Sequence, residues 1–348
     1  EGESSYDDVR YIRLNNSPNH HALQAKLSQL EGAETALVTS SGMAAISTAL
    51  LAHLQPGDHI LVQDNLYGGT HELMWRTLPS LGIAVDAVDV CNPGSWAEKR
   101  KPSTRLFYVE SMSNPLLRVG ALDRVVAFSR QHGLLSFIDN TFASPINFKP
   151  IPFGFDVSLH SATKYLNGHS DLVAGACIGR AEVIEPILKK LNILGGCLDP
   201  HAAFLLERGI KTLALRVEAQ NRNGLAIATY LANHPKIEQV FYPGLSDHPD
   251  HARATTFFTG YGGMLSFTCQ GGAKAAAQVV ASTQLAACAP SLGGVESLIT
   301  RPASTSHACL TAQERHALGI GDNLIRYSVG IEDGDDLIAD LDQALAQI

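Results

Sequence analysis

The chain has 348 residues, with 26 Lys and Arg against 34 Asp and Glu, a net charge of −8. At about 100–200 residues per domain, this length makes two domains or one large one. Hydrophobic and charged fractions of 45% and 17% exclude a disordered chain. The acidic balance, with no Lys/Arg run, argues against a nucleic-acid binder, and no apolar run reaches the ~18 residues of a membrane span.

The first half alternates short β-rich runs with helix-length segments. The runs are Ala36–Thr39, His59–Gln63, Ile83–Val90, Arg105–Glu110, Leu134–Asp139, Asp156–His160 and Val173–Ile178. Between them the spacing predicts helices from Met43 to Leu54, from about Gly69 to Leu81, and over Leu122–His132. This alternation implies a largely parallel sheet covered on both faces, with ligands at the carboxyl ends of its strands. The second half differs. A long helix is predicted over Thr212–Asn233, then strands Ile237–Tyr242, Gly263–Thr268 and Leu324–Gly330, with helices Ala273–Ser282 and Asp335–Ala346 between them. That is a smaller α+β domain. The segments Cys91–Pro102 and Tyr242–Gly263 read as surface loops. No signal-peptide pattern opens the chain. The six cysteines, Cys91, Cys177, Cys197, Cys269, Cys288 and Cys309, form no C-x-x-C pair. They read as buried free thiols of a reducing compartment, so a soluble cytoplasmic protein is expected.

Five features carry chemistry. In Leu159-His-Ser-Ala-Thr-Lys164-Tyr-Leu-Asn-Gly-His-Ser-Asp171, a lysine follows an apolar strand. Partial desolvation there lowers an amine's pKa and makes it a nucleophile for an aldehyde. Asp139 ends the strand Leu134–Asp139, 25 residues earlier, and a buried carboxylate needs a cation such as a protonated ring nitrogen. Thr39-Ser-Ser-Gly-Met-Ala-Ala45 presents free N–H groups at a helix start, which suits a phosphate. Tyr67, before Gly68-Gly69, can lay its ring on a flat ligand. Arg326 interrupts an apolar strand and needs an anion, such as a substrate carboxylate. Singly, each has an ordinary structural explanation: a surface lysine, a helix cap, a packed tyrosine, an ion pair. Together they describe a pyridoxal phosphate site.

On these residues the sequence resembles the Cys/Met-metabolism family of pyridoxal-phosphate enzymes, the group of cystathionine γ-synthase, the cystathionine lyases and methionine γ-lyase. Ser161-Ala-Thr-Lys164-Tyr-Leu-Asn-Gly-His-Ser-Asp171 carries the resemblance most specifically. Val109-Glu-Ser-Met-Ser-Asn-Pro115, Ile138-Asp-Asn-Thr-Phe142 and Ile325-Arg-Tyr-Ser-Val-Gly-Ile-Glu-Asp333 support it. The resemblance implies fold type I, aspartate-aminotransferase-like: a large domain with a mostly parallel seven-stranded sheet, plus a C-terminal α+β domain. The expected bounds are an arm at 1–13, a cofactor domain at 14–208 and a substrate-carboxylate domain at 209–348. It implies that Lys164 holds the cofactor as an imine and shuttles protons, with Tyr67 stacked on the ring and helping to activate the substrate amine. Asp139 would face the ring nitrogen, Asn114 the ring hydroxyl, and Gly42, Met43, Ser161 and Thr163 the phosphate. Arg326 and Ser297 would hold the substrate carboxylate. Tyr11 and Arg13 match the family's Tyr-x-Arg, which reaches a neighbouring subunit's phosphate and implies an obligate dimer, commonly doubled to a homotetramer.

Within the family, Gly69 stands where methionine γ-lyases carry cysteine. Glu296 suits a distal ammonium of the substrate, and Arg10 a distal carboxylate. Ser113–Val119 and Gly330–Asp340 look closest to γ-synthases. The expected reaction is γ-replacement on an O-activated homoserine with cysteine. The alternative is a C–S lyase giving a 2-oxo acid, ammonia and a thiol, and a further one is a catalytically weakened cofactor-binding domain of a larger assembly. Two other classes have single threads. Ser161-Ala-Thr-Lys164 fits an acyl enzyme's Ser-x-x-Lys, but Ser-Asp-Asn and Lys-Thr-Gly are absent. His20-His21 and His248 with His251 lack a third ligand at metal spacing, so no metal is expected.

Overall fold

The computed structural model describes residues 9–308 and 311–348. Seven strands form the first sheet: β1 (Thr35–Thr39), β2 (His59–Gln63), β3 (Ala84–Val88), β4 (Thr104–Glu110), β5 (Leu135–Asp139), β6 (Val157–His160) and β7 (Gly175–Gly179). Their order is β1-β7-β6-β5-β4-β2-β3. All pairings are parallel except those of β7, which runs antiparallel to both β1 and β6. Successive residues in the central strands face opposite sides. Leu61, Phe107 and Ile138 pack into one core layer and Ile60, Leu106 and Phe137 into the other. All six are fully buried, and each contributes roughly 1.5–3 kcal/mol. This two-sided burial explains why the strands read as continuous apolar runs.

The helices Gly42–His53 and Leu122–His132 lie where apolar spacing puts them. The helical run that starts at Gly68 widens to a π-helical turn over Leu73–Thr77. Pro79 follows that turn and has no N–H to return to the preceding one. Spacing does not single out the helices Pro18–Glu31 and Pro200–Ile210, but their caps do. Ser17 and Asp199 accept backbone N–H groups just before a proline at the first helical position.

The segment Cys91–Pro102 is not a plain surface loop. It contains a turn of 3-10 helix at Pro93–Ser95 and the helix Trp96–Lys99, with Trp96 fully buried against Phe107 and Phe128. Likewise Tyr242–Gly263 hides the helix His251–Phe257, anchored by Ala254 and Phe258. In both, Gly and Pro at the margins mask a short helix held by one or two apolar anchors. The described cysteines are free. Cys177 and Cys269 are buried and Cys91 and Cys197 half-buried, but Cys288 is exposed, because it sits on a two-residue strand at a sheet edge. Cys309 lies outside the described residues, as do residues 1–8 of the expected arm.

The long helix Leu213–Ala232 leads into a five-stranded sheet: β8 (Ile237–Phe241), β9 (Met264–Cys269), β10 (Ala287–Cys288), β11 (Leu298–Thr300) and β12 (Leu324–Ser328). Its order is β10-β11-β12-β9-β8, antiparallel except between β10 and β11. Helices Gly272–Ser282 and Gly334–Leu345 cover it, with Phe267, Ile325, Tyr327 and Leu341 among the buried contacts. No helix among the described residues is long and apolar enough to cross a membrane.

Candidate active site

A cavity of about 670 Å³ opens at the carboxyl ends of the first sheet's parallel strands. Residues after β1, β2, β4, β5 and β6 line one side. Arg326 of β12 and the turns at 290–292 and 305–306 line the other.

Lys164 lies in the turn after β6. Its Nζ donates to Ser291 Oγ at 2.7 Å. Burial, with the Arg326 charge adding to it, lowers its pKa to about 8. Arg326 pairs with Ser266 and Thr300 across the sheet and is 5% exposed. Its Nη2 donates to the Ser291 carbonyl at 3.0 Å and Nη1 to Asn114 Oδ1 at 3.3 Å, while Nε has no partner. Burial lowers its pKa to about 10, which leaves it cationic at neutral pH. An orphaned donor on a buried cation facing a cavity is a seat for a carboxylate. Ser291 adopts φ 92° and thereby offers its hydroxyl to the lysine and its carbonyl to the arginine.

The floor carries two carboxyls. Asp139 ends β5 and Glu110 ends β4, and the two are partners in register. Asp139 Oδ1 accepts the Thr141 N–H at 2.9 Å, and burial raises its pKa. A cation brought against it would reverse that cost. Glu110 Oε1 accepts the Tyr67 N–H at 2.7 Å. The Tyr67 side chain reaches into the cavity and is 43% exposed. Its ring passes over Gly69, where a Cβ would come 2.8 Å from a ring carbon. A side chain at this position would therefore push the ring aside.

At the far end, Ser41 caps the helix Gly42–His53 with its hydroxyl on the Ala44 N–H. A Cβ on Gly42 would come 2.8 Å from Ser161 Cβ, so only glycine lets the helix start approach the turn before Lys164. Gly42, Met43, Ser161 and Thr163 all line this end, a cradle of small residues at a helix N-terminus that suits a phosphate. The Thr163 hydroxyl is tied to Ala174, donating to its carbonyl at 3.2 Å and accepting its N–H at 3.0 Å.

The cavity thus gathers Lys164, Tyr67, Asp139, Asn114, Gly42, Met43, Ser161, Thr163 and Arg326. It leaves out five expected residues. Ser297 is fully buried away from it, donating to Glu332 Oε2 and accepting the Gly330 N–H, both at 2.9 Å. Glu296 accepts from Ser170 and does not line the cavity. Their expected places are taken by Ser291 and Pro290, six residues earlier. The glycine turn Gly293-Gly294 comes between the two serines and carries the chain away from the cavity. Arg10, Tyr11 and Arg13 lie at the surface, outside this chain's cavity. Tyr11 is 49% exposed. The Arg13 guanidinium lies 5.3 Å from the Tyr11 ring centroid and donates to the Asn192 carbonyl at 2.7 Å. Neither histidine pair lines the cavity. His20 is held by Ser17 and the Leu198 carbonyl.

A nucleophilic amine, a buried carboxyl awaiting a cation, a phosphate cradle and a stacking ring fit one group, and the fold and site define a pyridoxal-phosphate enzyme. The sequence matches the Cys/Met metabolism PLP-dependent enzyme family over residues 2–346, and the chain belongs to that family. It is 42% identical to cystathionine gamma-lyase of Bacillus subtilis (strain 168) over 339 residues, 97% of this chain and 89% of that protein. It is equally 42% identical to chloroplastic cystathionine gamma-synthase 1 of Arabidopsis thaliana over 339 residues, 97% of this chain but 60% of that longer protein. The crystal structure of cystathionine gamma-lyase from Lactobacillus plantarum complexed with L-serine superposes with a TM-score of 0.95. The two chains are 38% identical, and the match covers 100% of this chain and 91% of that one. The protein is a PLP-dependent enzyme of cysteine and methionine metabolism.

Proposed function

We propose that the protein replaces the γ-substituent of an O-activated homoserine with cysteine. The observation that carries the amino-acid part of this reading is the sharing of Ser291 by Lys164 and Arg326, and the γ-synthase relative supports replacement. An amino acid whose carboxylate sits on Arg326 and Ser291 then has its α carbon within reach of Lys164 Nζ. The bound cofactor supplies an electron sink for the charge left at that carbon. Lys164 takes the α proton on Nζ and returns it at the neighbouring carbons, a task that suits an amine whose pKa is about 8.

Asp139 is assigned to the ring nitrogen, Asn114 to the ring hydroxyl and Tyr67 to the ring face. Gly42, Met43, Ser161 and Thr163 are assigned to the phosphate. Tyr11 and Arg13 are assigned to the phosphate of a second copy, which makes the working unit a homodimer, doubled to a tetramer. The free thiols suit a cytoplasmic setting.

The charged side chains among the described lining residues are Glu110, Asp139, Lys164 and Arg326. None of them is assigned to the γ-substituent, and O-acetylhomoserine, a small O-activated homoserine, is the substrate chosen for the test. The lyase names of two of the relatives favour elimination from cystathionine as the second reading. Incubation of the holoenzyme with O-acetylhomoserine and cysteine separates the two. Cystathionine as product supports replacement. Production of 2-oxobutyrate from cystathionine, with no synthesis, supports elimination.

A further inference from the structure

Tyr67 and Asn114 stand on different loops, after β2 and β4. The Tyr67 side chain is 43% exposed, so packing alone does not hold its ring over the cavity. Its backbone is held instead. The Tyr67 N–H donates to Glu110 Oε1 at 2.7 Å. The Glu110 N–H in turn donates to Gln63 Oε1 at 2.9 Å, and Gln63 Nε2 donates to the Asn65 carbonyl at 2.5 Å. Glu110 is 5% exposed. Glu110 therefore ties the loop that carries the ring to the end of β4.

We propose that Glu110 is a positioning residue that sets the Tyr67 ring against the bound cofactor by tying the loop after β2 to the end of β4. This rests on the assignment of Tyr67 made above. Burial and the adjacent Asp139 push the Glu110 pKa well above the usual carboxylate range. Its oxygen is an acceptor held at a fixed reach from the Tyr67 N–H. Glutamine reproduces that reach, whereas aspartate, one methylene shorter, does not.

The test is titration of the apoprotein with pyridoxal phosphate, followed by the cofactor's induced circular dichroism band. Glu110→Gln is expected to bind within about threefold of wild type and keep the band. Glu110→Asp is expected to bind about tenfold or more weakly, the loss of roughly one hydrogen bond, and to lose much of the band. Far-UV circular dichroism confirms that both variants fold. Wild-type binding and band in Glu110→Asp would overturn the proposal, and so would a Glu110→Gln variant as defective as Glu110→Asp. Tyr67→Ala separates the two layers of the argument. If it keeps the induced band, the Tyr67 assignment fails and the proposal with it. If it loses the band while Glu110→Asp keeps it, only the Glu110 proposal fails.

Discussion

Arg326→Ala tests two couplings with one substitution. A charged hydrogen bond is worth roughly 1.5–3 kcal/mol, so removing a bidentate carboxylate seat costs about 3 kcal/mol or more, roughly 10²-fold or more in kcat/KM. The second effect falls on Lys164, whose pKa is about 8 because of burial first and Arg326 second. At pH 7 that value leaves about a tenth of the amine free, against about 0.04% at the ordinary value near 10.4. Removing a neighbouring positive charge raises a lysine's pKa. The pH midpoint for capture of pyridoxal phosphate by the apoprotein should therefore rise above 8, yet stay below the ordinary value because burial persists. Stopped-flow absorbance of cofactor capture from pH 6.5 to 10 reads this midpoint. Steady-state kinetics read the carboxylate seat. A midpoint that stays put or falls refutes the Arg326–Lys164 coupling, and an unchanged KM refutes the seat.

Lys164→Ala should abolish turnover and leave no borohydride-fixed cofactor mass on the protein, which mass spectrometry reads directly. Gly42→Ala should weaken cofactor binding at least tenfold and lower Tm, because its Cβ would come 2.8 Å from Ser161 Cβ and relieving such overpacking costs about 1–3 kcal/mol. Ser291→Ala and Ser297→Ala should behave oppositely. The first should raise KM at nearly constant Tm. The second should lower Tm, since it leaves the buried Gly330 N–H unsatisfied at about 1–3 kcal/mol, with KM little changed. Reversed results would restore Ser297 to the carboxylate seat.

The central strands of the first sheet were legible because both their faces are buried, and Lys164 and Asp139 because a polar residue ending such a run lies at the ligand edge. The direction of β7 was not legible, since an apolar run buried on both faces reads alike in either direction. Ser291 was not separated from Ser297 for a different reason. Both belong to one glycine-rich stretch, and only its path in space decides which hydroxyl meets Lys164. Glu110 lay inside a quoted motif, yet its use depends on Tyr67, 43 residues away. Trp96 shows the same limit on a smaller scale, where a Gly/Pro-bordered segment hides a buried anchor. Contacts between distant segments leave little local signature in composition or spacing.

The most direct measurement of the central claim is made in one cuvette. The purified protein, loaded with pyridoxal phosphate, is scanned in the visible range, then given O-acetylhomoserine and cysteine, and the products are identified. A lysine-bound cofactor band near roughly 420 nm, followed by cystathionine, is the predicted result. A protein that takes up the cofactor but forms no cystathionine from O-acetylhomoserine and cysteine would contradict the account.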